Sequence, residues 1–252
     1  MVGGEDAAAT DEAETAPEVA EERARRRHFT VLLAVLGLLL VTGPAMRSLG
    51  AGLHLQLKSI LFAAVFTALL VSASRAAEAS RRRAWCLYGV ASTWFLLRLA
   101  QLWTDHSGLM AATYVAALGF LGYVIVLLLR VLLEVRFVDT ETIAASLCVY
   151  LLMGIFWAVA YALVEKVQPG SFNIPDGTPL DFAGEGAANA NYFSFVTLTT
   201  LGYGDITPKS DVTRTMAITE AVIGQVFLVV LVARLVGMKV AQAIQRKQGQ
   251  NQ

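Results

Sequence analysis

The chain has 252 residues, 56% hydrophobic and only 16% charged, with 20 basic and 20 acidic side chains that cancel. Soluble domains run at about 45–50% apolar and about 25% charged, so an ordinary soluble globule is excluded and a membrane protein is indicated. Zero net charge gives no sign of a nucleic-acid partner, and two cysteines (Cys86 and Cys148) without metal-ligand spacing give no zinc site or disulfide framework.

Residues 1–28 form an acidic, Ala-rich stretch that turns basic at Arg23, Arg25, Arg26 and Arg27. With almost no large apolar side chain, this stretch is expected to be a disordered cytoplasmic tail. Six apolar helices follow, at about Phe29–Met46, Leu53–Ala73, Ala84–Trp103, Leu109–Val135, Ile143–Val164 and Thr215–Val240. Each is near the ~20 residues that cross a ~30 Å hydrocarbon core. Arg75, Arg81, Arg82 and Arg83 lie between helices two and three, Arg130 and Arg136 between four and five, and Arg234, Lys239, Arg246 and Lys247 near the end. The alternate loops are nearly bare of basic residues. Basic loops stay inside, so both termini are expected in the cytoplasm and the chain in the cell (plasma) membrane.

The connection from Glu165 to Arg214 has two halves. "KVQPGSFNIPDGTPLDFAGEG" is rich in Pro and Gly and reads as an extracellular loop. "AANANYFSFVTLTT" is apolar enough to re-enter the membrane and too short to span it. "TTLGYGD", Thr199 to Asp205, comes next. A helix entering from outside would place the partial negative charge of its C-terminus near mid-membrane, favouring a cation. Gly202 and Gly204 would then let successive carbonyls face one side. The carbonyls of Thr200, Leu201, Gly202 and Tyr203, with the Thr200 hydroxyl, would make a ladder of oxygens able to replace the hydration shell of an ion. One strand cannot surround an ion, so several copies must meet on an axis.

At these residues the sequence resembles the potassium-channel family. "TTLGYGD" matches that family's filter, with Leu201 where Val is commonest, and the resemblance covers the last ~110 residues. It implies a potassium-selective channel. It also implies K+ coordination by Thr200, Leu201, Gly202 and Tyr203, a filter running to Gly204, and a homotetramer in the lipid bilayer. Tyr192, Phe193, Val196, Thr199 and Asp205 are expected to support the filter. Tyr192 and Phe193 stand where many relatives carry paired tryptophans, and Val196 where some carry a carboxylate. Phe193 cannot donate a hydrogen bond to Asp205, so a sparser support network is expected. Gly224 falls at the position of a gating hinge, with packing against a neighbour as the alternative. Gln225, Leu228, Val232 and Val236 are candidates for the cavity and gate face. Glu220 is expected either to pair behind the filter or to face the outer vestibule.

The fold class implied is an all-α membrane protein of six helices with a re-entrant pore helix and filter loop. Residues 29–136 resemble a voltage-sensor domain, residues 137–244 form the pore domain, and 245–252 a cytoplasmic tail. Helix four, "LMAATYVAALGFLGYVIVLLLRVLLEVR", carries charge only at its inner end. Moving one charge across the membrane is worth about 2.3 kcal/mol per 100 mV, and a sensor needs several. A voltage sensor is therefore not expected. Arg98, in helix three, is read as a snorkelling or structural charge against a sensing one. The tail after Val240 is too short for a ligand-binding gating domain, which leaves the stimulus open. High Ala and Arg usage points to a bacterial source. No cofactor is expected beyond the permeant potassium ion. No phosphate loop, metal cluster or nucleophile triad suggests an enzyme. The alternatives are a weakly selective cation channel, a potassium-uptake transporter subunit and a non-conducting scaffold. Transporters usually carry internal repeats, and none is visible.

Overall fold

The computed structural model describes residues 31–41, 68, 89, 92–94, 96, 107–134, 140–182 and 186–250. The tail 1–28, the second and third expected helices apart from the isolated positions above, the basic loop between them, and Arg98 and Cys86 lie outside the described residues. Helix α1 covers Val31–Val41 and buries Leu32, Leu36 and Leu39, one stripe at helical spacing.

Three further helices are long and apolar enough to cross a membrane. These are α2 (Ser107–Glu134), α3 (Thr140–Val167) and, after a short helix α4 (Ala187–Leu198), α5 (Asp211–Gln250). They fall where the fourth, fifth and sixth apolar runs were read. Two hydroxyls inside them are satisfied locally: those of Thr113 and Ser146 donate to carbonyls one turn back, at 2.9 and 2.5 Å. α5 is longer than the apolar run that defines it. It begins at Asp211, where the Ser210 hydroxyl accepts the Thr213 N–H at 3.2 Å, an N-cap. It continues helically through the polar "AQAIQRKQGQ" to Gln250, so the expected tail from 245 is largely helix.

Packing runs in chain order. α2 lies along α3, and a Cβ added at Gly122 would lie 3.7 Å from the Phe156 ring. α3 and α5 both pack on α4. Gly154 of α3 and Gly224 of α5 each sit where an added Cβ would lie 2.5 to 2.7 Å from an α4 atom, so these glycines let α4 wedge between the long helices. At the C-terminal end of α2, the Arg234 guanidinium donates to the Leu133 carbonyl at 2.5 Å and satisfies a last-turn acceptor of that helix.

The connection between α3 and α4 is tied down by its own polar groups. Buried Glu165 accepts the N–H of Gly170 at 2.9 Å and of Ser171 at 3.0 Å, turning the chain at the end of α3. The Ser171 carbonyl accepts the Lys209 N–H at 2.8 Å and the Thr213 hydroxyl at 3.1 Å. A two-residue antiparallel pair follows: β1 (Phe172–Asn173) against β2 (Thr207–Pro208), with Phe172 opposite Pro208. The C-terminal end of α3 and the N-terminal end of α5 are thus held side by side. The Asn189 side chain donates to Asp176 at 3.2 Å and to the Thr178 carbonyl at 3.1 Å, anchoring the start of α4.

Candidate functional site

α4 has 12 residues, about 18 Å of rise, and cannot cross a hydrocarbon core. Its C-terminal end leads directly into Thr199–Asp205. The first N–H groups of that segment fold back onto the last turn. Thr199 donates to Phe195 O at 3.0 Å, Thr200 to Thr197 O at 2.9 Å, and Leu201 and Gly202 to Val196 O at 2.9 and 3.3 Å. The orphan carbonyls of the helix end are satisfied in this way. The carbonyls of Thr200, Leu201, Gly202 and Tyr203 accept no hydrogen bond from the described residues.

Backbone φ is +59° at Thr200, +58° at Gly202 and +80° at Gly204, with Leu201 and Tyr203 outside the positive range. In an extended strand, side chains and carbonyls alternate between faces. Alternating the hand of successive residues cancels that alternation and turns successive peptide groups to one side, the geometry that backbone anion nests use for N–H groups. Gly202 and Gly204 are needed for φ alone, since nothing lies within 4 Å of a Cβ added at either. Thr200 is the non-glycine in the set, a conformation that costs on the order of 1–3 kcal/mol.

Tyr192 and Asp205 meet at the C-terminal end of this segment. The Tyr192 hydroxyl donates to Asp205 Oδ2 at 2.7 Å, while Oδ1 accepts the Ile206 N–H at 3.0 Å. The Tyr192 ring lies parallel to Tyr203, 4° between planes and 6.4 Å between centroids. The hydrogen bond from Tyr192 holds the Asp205 carboxyl below its usual range, and the same bond pushes the Tyr192 hydroxyl up to about 12. The donor missing from Phe193 is thus supplied one position earlier, and the support is not sparse at this point. Phe193 itself faces the other way. It is buried edge-on to Tyr161 at 4.9 Å and to Phe172 at 5.2 Å, and props α4 against α3 rather than ringing Tyr203. Val196 supports the segment through its carbonyl, and the Thr199 hydroxyl donates to Phe195 O at 2.7 Å.

On α5, Gly224 is a close approach: a Cβ there would lie 2.7 Å from the Leu198 carbonyl and from Leu198 Cδ1. The helix runs unbroken through it. Packing is the role this geometry gives Gly224. The Gln225 amide reaches the Thr200 hydroxyl at 3.3 Å, while Val232 and Val236 are exposed and Leu228 is half-buried. Glu220 does not face an outer vestibule. It is fully buried behind α4, with Ser194 Oγ 2.6 Å from Oε1 and Tyr161 Oη 2.5 Å from Oε2. Ser194, Tyr161 and Gly154 were not singled out by sequence reading. Glu220 lies 26 and 59 residues from its two side-chain partners, and no local pattern carries such pairs. Among the described residues no group of three or more His, Cys, Asp or Glu could hold a metal ion.

Two long apolar helices thus flank a short helix and a run of carbonyls that accept no hydrogen bond from the described residues, an arrangement that marks a multi-pass membrane protein. Residues 147–240, which cover most of α3, all of α4, the Thr199–Asp205 segment and α5 to Val240, match the family model described as "Ion channel". The chain is also similar to Two-pore potassium channel 2 of Arabidopsis thaliana, 33% identical over 102 residues that make up 39% of this chain. That stretch is 20% of the relative, so the chain spans about a fifth of the length of the curated protein it matches. No solved structure matches the chain.

Proposed function

We propose that this chain is one subunit of a potassium-selective channel, with six membrane-spanning helices and α4 as a re-entrant pore helix. Four copies close the ring of oxygens that one copy leaves open. Ions pass in file through Thr200, Leu201, Gly202, Tyr203 and Gly204, each shedding water for carbonyl oxygens. The observation that carries this reading is the alternating hand of the backbone from Thr200 to Gly204 together with its unpaired carbonyls. Assembly is supported by α5, of whose span only 6% is buried, against 56% for α3. Its Ile218, Val222, Val226 and Val229 are left for other copies or lipid. Helix α2 carries no charge before Arg130, which supports gating by something other than a charged voltage sensor. The proposed setting is the plasma membrane with both termini cytoplasmic, on the basic-loop bias.

The test is the reversal potential of purified protein in planar bilayers, with potassium on one side and sodium on the other. A reversal near the potassium equilibrium potential is expected. A reversal near zero gives a weakly selective cation channel. Gly202→Ala, which forces a side chain into the left-handed region, is expected to abolish the current; conduction with unchanged selectivity in that variant overturns the assignment.

A further inference from the structure

The buried group that this conduction scheme does not use is Glu220. Four oxygen-bearing groups form a chain behind the pore helix: the Gly154 carbonyl of α3, Ser194 Oγ of α4, the Glu220 carboxyl of α5, and Tyr161 Oη of α3. The successive contacts are 2.7 Å (Gly154 O to Ser194), 2.6 Å (Ser194 to Glu220 Oε1) and 2.5 Å (Glu220 Oε2 to Tyr161). All lie at full two-centre O–H···O length, shorter than a hydroxyl hydrogen split between two acceptors would give. Three contacts need three hydrogens. The carbonyl brings none, and Ser194 and Tyr161 bring one each. The third has to sit on Glu220.

The surroundings agree with that count. Glu220, Ser194 and Tyr161 are all fully buried, and Glu220 makes no ion pair among the described residues. An isolated buried carboxylate is costly, and a protein normally neutralises one it cannot pair. Among the described residues, the titratable groups that face it come from α3: Tyr161, and Tyr150, whose hydroxyl is 3.4 Å from the Leu198 carbonyl. α4 offers Ser194 and no charge, because its one titratable side chain, Tyr192, is turned to Asp205. On α5 itself, Asp211 and Arg214 lie at the exposed helix start.

We propose that Glu220 is a neutral, proton-bearing carboxylic acid whose single proton completes a relay locking the pore helix between α3 and α5, and that removing this proton releases the pore helix and shuts conduction. In the locked state Glu220 Oε1–H donates to Ser194 Oγ, Ser194 donates to the Gly154 carbonyl, and Tyr161 donates to Oε2. When a base in solution takes the proton, the carboxylate claims the Ser194 hydrogen. Ser194 then meets the Gly154 carbonyl lone pair to lone pair, and α4 loses its bond to α3. Ser194 stands two residues before Val196, whose carbonyl anchors the N–H groups of Leu201 and Gly202. The disturbance therefore reaches the conducting segment through one turn of helix. Glu220 touches no ion and is a positioning residue.

The proposal rests on the channel reading, and its test separates the two. Infrared difference spectra of reconstituted wild type and Glu220→Gln are recorded at neutral pH, and currents are recorded from neutral to alkaline pH. A carboxylic-acid carbonyl band present in wild type and absent from the variant is expected. Glu220→Gln keeps the hydrogen count, since its amide N–H donates to Ser194 and its carbonyl accepts from Tyr161. It is expected to conduct as wild type does and to keep its current in alkaline solution where wild type loses it. Ser194→Ala is expected to lose the conducting state at every pH. Absence of the band overturns the proton on Glu220, and an alkaline profile shared by wild type and Glu220→Gln overturns its control of conduction. If neither protein conducts at any pH, the channel reading and the proposed control fall together, while the band still decides the proton.

Discussion

The Tyr192 hydroxyl donates to the Asp205 carboxylate at 2.7 Å while the Tyr192 ring lies flat against Tyr203, two residues before that carboxylate. One side chain thus fixes the proposed filter twice, by its face and by its tip. Asp205 is held below its ordinary pKa, so its contribution is complete above the ordinary aspartate range and is lost as pH falls through the lowered value. Tyr192 is raised to about 12, so its side of the bond persists through neutral pH and fails only as pH rises toward that value. Tyr192→Phe keeps the stack and removes the bond. Thermal unfolding against pH is expected to show the variant less stable than wild type at neutral pH, with the two curves converging in acid. Parallel curves down to strong acid would rule the bond out as the source. In recordings, the variant's current is expected to decline faster during sustained opening.

Gly224 offers a choice between two roles that give different readouts. A Cβ at this position lies 2.7 Å from the backbone of Leu198, which cannot swing aside as a side chain would. Overpacking of this kind costs about 1–3 kcal/mol. Gly224→Ala is expected to destabilise the protein by that amount in thermal unfolding. Gly237→Ala, on the same helix with nothing within 4 Å, is expected to be neutral or up to about 1 kcal/mol stabilising. If Gly224→Ala unfolds as wild type does and only its opening is slowed, then bending rather than packing is the function of this glycine.

A third test concerns how the outer end of α2 is coupled to the proposed pore. The Tyr114 hydroxyl bonds the Asp181 carboxylate and accepts the Phe182 N–H at 3.2 Å, while Lys166 pairs with Asp181 at 3.3 Å from a partly exposed position. A hydrogen bond contributes about 0.5–1.5 kcal/mol, and more when one partner is charged. An exposed ion pair contributes about 0–1 kcal/mol and is screened by salt. Tyr114→Phe is therefore expected to lower the unfolding temperature by an amount that salt does not change. Lys166→Met is expected to have a smaller effect that disappears at high salt. A salt-sensitive loss in Tyr114→Phe would place the coupling in the ion pair instead.

Much of this architecture is legible in the sequence because membrane helices are written in composition. Uninterrupted apolar runs near 20 residues gave α2, α3 and α5, and an apolar stretch too short to span gave α4. The irregular backbone of Thr199–Asp205 is legible because only glycine takes positive φ freely, so two glycines flanking Tyr203 announce a segment shaped by its backbone. What stayed hidden depends on distance or on single atoms. The β1–β2 pair has two residues a side, too few for any alternation to appear. The polar end of α5 has no apolar period, yet it continues a helix already nucleated above it. Phe193 is expected beside Tyr192 as a support of the filter, but α4 turns adjacent residues about 100° apart, so Tyr192 meets Tyr203 while Phe193 meets α3.

The last prediction concerns Gln225 and the first residue of the proposed filter, Thr200. Its amide N–H donates to the Thr200 hydroxyl at 3.3 Å, so one Thr200 lone pair is engaged and the side chain is held in one rotamer. Thr200 already holds an unfavourable φ of +59°, and a tether on its side chain helps to keep it there. Gln225→Leu removes the donor with little change in volume. Its reversal potential in opposed potassium and sodium solutions is expected to move toward zero, because a freer Thr200 coordinates a smaller ion more easily. Gln225→Glu turns the contact around: the Thr200 hydroxyl then donates to a carboxylate, and each subunit adds a negative charge below the ion path. That variant is expected to keep its selectivity, pass larger inward-facing potassium currents and bind internal barium more tightly. If Gln225→Leu reverses where wild type does, Thr200 holds its conformation through the α4 carbonyls alone, and the role of Gln225 is confined to the polarity of the cavity wall.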